Sequence, residues 1–121
     1  MLSIIFAMGN YLGAFFMSEL IRGRTGYLTL EGDHKYETLN VFWCGQADRK
    51  LIFDGCKKII RLTEDNRFQY IFNSNRKLTG HWPQMESHLI LDWFQQLSAN
   101  GVRKILTLVQ ASAWTFDRKY C

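Results

Sequence analysis

Apolar and polar positions change rhythm several times along this chain, and each change marks an element. Residues 27–31 and 36–44 alternate with a period of two, which places Leu39, Val41 and Trp43 on one face. Gly32, Asp33, His34 and Lys35 lie between them and carry turn chemistry, so the two runs read as an antiparallel hairpin. From residue 46 to 65 the period lengthens. Ile52, Cys56, Ile59 and Thr63 recur at helical spacing, with Leu51, Gly55 and Leu62 beside them. Lys50, Asp54, Lys57, Lys58, Arg61 and Glu64 are placed to face water, and Asn66 supplies a stop. Residues 68–72, Phe-Gln-Tyr-Ile-Phe, read as the central strand of a sheet, breaking into a polar loop over 73–80. A second helix is expected from about Pro83, since the first helical turn tolerates a missing N–H. Its apolar stripe is Met85, Leu89, Trp93 and Leu97 with Ile90 and Phe94, and Asn100-Gly101 gives it a left-handed end. Residues 102–110 read as a further strand, and 111–121 as a loop with a short last helix.

The order is β-β-α-β-α-β. Two successive strand–helix–strand units imply parallel neighbours joined by right-handed crossovers. The expected fold is therefore α/β, with a mixed sheet of four to five strands and the helices packed on one side. A length of 121 residues suits one domain, and no internal repeat or linker divides it.

The first 16 residues carry no charge. They lack the positive start of a signal peptide, and they fall short of the roughly 20 apolar residues of a membrane span. They are read as an apolar N-terminal extension, an artefact of start-site choice or a segment laid against the domain. Met17, opening Met-Ser-Glu-Leu, looks like a natural start, so the domain is taken as 17–121. A membrane contact would require residues 1–16 to act as an anchor.

The formal net charge is +4, but the basic residues are scattered, which argues against a nucleic-acid partner. Three cysteines with no Cys-x-x-Cys pair argue against a zinc site or a disulfide framework, and point to reduced thiols in a cytoplasm.

Three stretches taken together resemble a known family. They are Val-Phe-Trp-Cys-Gly at 41–45, Phe-Gln-Tyr-Ile-Phe-Asn-Ser-Asn-Arg-Lys-Leu-Thr-Gly at 68–80, and Ala-Asn-Gly-Val-Arg-Lys-Ile-Leu-Thr-Leu-Val at 99–109. Their order resembles the small bacterial STAS-like domains, the class of the anti-sigma-factor antagonist SpoIIAA, over roughly residues 17–120. The resemblance implies a regulatory or protein-binding module rather than an enzyme. It also implies a phospho-acceptor just before a glycine at a helix start, a position matched here by Thr79, with Ser74 as a second candidate. No acidic residue precedes Thr79, which follows Lys77 and Leu78. Similar proteins run on past residue 121, so the resemblance also implies a C-terminal truncation.

Loops that follow parallel strands gather at one end of a sheet, where ligands bind. Asn73, Asn75, Arg76, Lys77 and Gly80 are thus the candidate contacts for a protein partner, a second copy of the chain or an anion. Trp114 is a further candidate. An alternative function is the binding of a small apolar or anionic molecule, between the helix face and the sheet or beneath Trp114. His34, His81 and His88 lack ligand spacing, and neither a phosphate loop nor a nucleophile elbow is present. No catalytic residue, metal or cofactor is expected.

Overall fold

The computed structural model describes residues 16–109. Five strands and two helices follow in the order β1 (Phe16–Arg22), β2 (Thr25–Asp33), β3 (Thr38–Gln46), α1 (Arg49–Asp65), β4 (Tyr70–Leu78), α2 (Ser87–Ala99) and β5 (Lys104–Leu108). They form an α/β unit with one mixed sheet of order β1-β2-β3-β4-β5. β1, β2 and β3 pair antiparallel, whereas β3–β4 and β4–β5 are parallel. Both crossovers step the same way along the sheet, so with the usual right-handed connection both helices fall on one face. The expected class therefore holds, with five strands.

One strand is additional to the sequence reading. β1 was hidden because its inward positions are Met17, Glu19 and Ile21, and a carboxylate interrupts the apolar alternation. Glu19 is only 1% exposed. Lys58 Nζ lies 3.1 Å from its Oε1, off the alignment of a hydrogen bond, and neither carboxylate oxygen has a hydrogen-bond donor among the described residues. Lys58 thus leans over the sheet as the counter-ion of Glu19 instead of facing open water.

The hairpin turn also sits later than expected. Gly32 and Asp33 are the last residues of β2, and the turn occupies 34–37. Asp33 Oδ1 accepts from the amides of Lys35 and Tyr36, and Glu37 adopts φ +52°. His34 Nε2 lies 2.9 Å from Asn66 Oδ1, joining this turn to the end of α1.

α1 begins at Asp48, whose side chain accepts from the Leu51 amide at 2.8 Å. Its buried residues Leu51, Ile52, Gly55, Ile59, Leu62 and Thr63 form the expected face. Gly55 determines how close that face comes. A Cβ there would stand 2.6 Å from Leu28 Cδ2 and 2.7 Å from Trp43 Cη2, both deep in the core.

β4 differs most from expectation. Tyr70 starts it, and it runs through Leu78, so residues 73–78 are strand and not loop. Phe68 precedes the strand yet is fully buried. β4 has β3 on one side and β5 on the other, which makes it an inner strand beside the last one described.

α2 starts at Ser87, four residues after Pro83. Its end is as read, with Asn100 as cap and Gly101 at φ +97°. Among its residues only Leu97 is buried, and the helix rests on α1 rather than on a strand.

Two measurements check this packing. Gly55→Ala should lower stability by about 1–3 kcal/mol in denaturant unfolding, because overpacking outweighs the helical propensity of alanine. Lys58→Met should cost about 3 kcal/mol or more by leaving a lone buried carboxylate, and adding Glu19→Leu should recover most of that loss.

Candidate functional site

The two helices meet the sheet differently, and a cavity results. α1 lies close because of Gly55. α2 is tied near both ends and braced once between them. At its C-terminal end Leu97 enters the core, and Asn100 Nδ2 donates to Thr63 Oγ1 at 3.1 Å. At its N-terminal end Arg49 donates to the Gln84 carbonyl at 2.8 Å and pairs with Glu86 at 3.3 Å. Glu86 is held below the usual carboxylate range, first by its own backbone N–H and then by Arg49. Between these ties Trp93 acts as a spacer, its indole N–H donating to the Cys56 carbonyl at 3.1 Å.

The space beneath has a volume of about 350 Å³. Ile52, Cys56 and Ile60 of α1 form one wall, and Leu89, Trp93 and Phe94 of α2 form another. Trp82 and Met85 close one end, while Trp43, Asn73 and Asn75 project from the sheet. Trp43 and Trp82 meet edge to face, with centroids 5.5 Å apart and planes at 88°. The Trp43 indole N–H donates to Asn73 Oδ1 at 2.8 Å, and Asn73 Nδ2 lies 3.4 Å from Asn75 Oδ1. The cavity is largely apolar, its polar lining being this short amide chain and the side chains of Lys57, Asp92 and Gln96.

A second cavity, about 220 Å³, opens at the C-terminal ends of the parallel strands. Ala47 follows β3, Thr79, Gly80 and His81 follow β4, and Val109 follows β5. Asn75 and Trp82 line both cavities, so the two adjoin there.

The candidate residues read from the sequence are divided by this geometry. Asn73 and Asn75 face the helices and line the larger cavity. Ser74 alternates to the opposite face, pairing with Phe42 and Leu108, and its Oγ lies 3.5 Å from the Arg76 amide. Between Phe42 and Cys44 the pairing shifts by one, so β4 holds an extra residue near Asn75 and Arg76. Arg76 and Lys77 are exposed on the last part of β4 and line neither cavity. Thr79 is half-buried, its amide bonded to the Gly45 carbonyl at 2.9 Å. Gly80 has φ +71°. Because α2 begins only at Ser87, the helix amides expected beside Thr79 and Gly80 are not there. Trp114, the segment at 110–121 and the extension at 1–16, apart from Phe16 in β1, lie outside the described residues.

The sequence left Trp43, Cys56 and Trp93 as core residues. Their cavity role depends on three separate elements, which no local spacing reveals. Cys44 is disulfide-bonded and Cys56 is free, where three reduced thiols were expected. Cysteine count and spacing do not report a pairing made by the fold. Among the described residues no three His, Cys, Asp or Glu side chains gather as a metal ion would need. No helix among them is long and apolar enough to cross a membrane. No family model, curated protein or solved structure matches the chain.

Burial pushes the Cys56 thiol from its ordinary 9.0 up to about 11. At pH 8 it should therefore alkylate about a hundredfold more slowly in the native protein than after unfolding, measured by mass spectrometry. The neutral thiol favours the fold fully below pH 9. That contribution is lost as pH rises towards 11, where the unfolded chain ionises first. Relative to Cys56→Ser, the native protein should lose about 3 kcal/mol of stability across that window.

Proposed function

We propose that this chain is a binding domain for a small, largely apolar molecule held between its helices and its sheet. The observation that carries the reading is the cavity beneath α2, walled by tryptophan and aliphatic side chains. Its 350 Å³ lies within the size range of small-molecule sites, which combine apolar walls with a few placed polar groups. Asn73 and Asn75 are those groups here. The order of elements after β1 supports a likeness to the STAS-like modules, which we propose as the class of this domain. The role is binding, and ligand occupancy is the regulatory event. A ligand that fills the cavity joins α1 to α2 along the stretch where the two helices are held apart.

The test is a panel of neutral apolar compounds with about ten to fifteen heavy atoms, screened by calorimetry and thermal unfolding. At about a hundred times Kd a ligand should add roughly 2.7 kcal/mol, or several degrees in Tm. Cys56→Phe fills the cavity and should abolish both signals. A panel that never raises Tm, or binding that survives Cys56→Phe, rejects the proposal.

A further inference from the structure

We infer that the ligand of this cavity is amphipathic, with a hydrogen-bond-accepting head that Asn75 receives at the junction of the two cavities. The inference rests on the proposed small-molecule site and specifies which molecules it takes.

The direction of the amide chain decides the chemistry of the head. An indole N–H can only donate. Trp43 therefore fixes Asn73 with its oxygen towards the indole, at 2.8 Å. The Asn73 amide nitrogen then points to Asn75, whose oxygen receives it at 3.4 Å. Asn75 is left with its own NH2 group directed away from Asn73, and among the described residues no acceptor takes those hydrogens. A donor-only side chain at one end of the chain thus produces an open donor at the other.

Asn75 is also the place where the polar and apolar spaces adjoin. The larger cavity lies on one side of it, walled by α1 and α2. The smaller one, bearing Thr79 and His81, lies on the other, and none of its described lining residues is acidic. Trp82 stands at the same junction, 43% exposed and packed edge-on against Trp43. A ligand lying along both spaces puts its apolar body beneath α2. Its carbonyl, carboxylate or similar oxygen then meets the Asn75 amide, with the Thr79 hydroxyl and the His81 ring beyond. This arrangement also explains polar residues at 73 and 75 on the inward face of a strand whose preceding inward residue, Ile71, is core.

Two neutral probes of the same shape isolate the head: 2-acetylnaphthalene, and 2-isopropenylnaphthalene, which has a methylene in place of the carbonyl oxygen. Calorimetry on the full chain should give the ketone a three- to tenfold lower Kd, the scale of one net hydrogen bond. Asn75→Leu should bring the ratio to about one while both probes still bind. Asn75→Asp, which presents an acceptor, should reverse it. Equal affinity of the native protein for both probes, with binding lost in Cys56→Phe, overturns the accepting head but leaves the cavity reading intact. A ketone preference that persists in Asn75→Leu overturns the role of Asn75. Failure of both probes to bind overturns both readings.

Discussion

At Gly55 the missing side chain lets the backbone of α1 settle against Leu28 and the edge of the Trp43 ring, at distances no Cβ could share. Much of the site depends on that approach. It presses the Trp43 indole beneath the helix and aims its N–H along the sheet at Asn73. α2 has no such glycine against the sheet. It leans on α1 through Trp93, whose bulk and single hydrogen bond hold the two helices apart. A close helix beside a distant one leaves room that neither fills.

Protein interiors ordinarily close such gaps, because side chains beside a void lose dispersion contacts. Here the middle of α2 does not close down. Ile90, Leu91 and Phe94 remain substantially exposed, while Leu97 and Asn100 at one end and Arg49 at the other keep the helix in place. Such an arrangement trades packing for access. The proposed ligand would return the contacts that the sequence leaves unmade.

Much of the fold was legible because burial follows period. Leu39, Val41 and Trp43 alternate, and Ile52, Ile59 and Thr63 recur at helical spacing, so β3 and α1 could be read from the chain alone. β1 could not, since Glu19 occupies a core position and is balanced by Lys58, a residue far along the chain on α1. The length of β4 was hidden for a related reason: Asn73 and Asn75 look like loop residues but face a cavity, and Asn73 is hydrogen-bonded to Trp43. Pro83 suggested a helix start, yet Arg49 holds the neighbouring Gln84 carbonyl and the turn waits until Ser87. The candidate site was legible only as a polar segment. Which of its residues turn inward is set by β-alternation and by partners far away in sequence.

The edge-to-face pair of Trp43 and Trp82 has an optical consequence. Trp43 is buried and its N–H is committed to an amide oxygen, while Trp82 is partly in water. Their excited states therefore relax in different surroundings while the rings lie close enough to exchange energy. A molecule entering between the helices would displace solvent beside Trp82 and would also meet Trp43 and Trp93, which line the same space. Occupation of the proposed site would then shift the protein's own emission colour, without any attached dye.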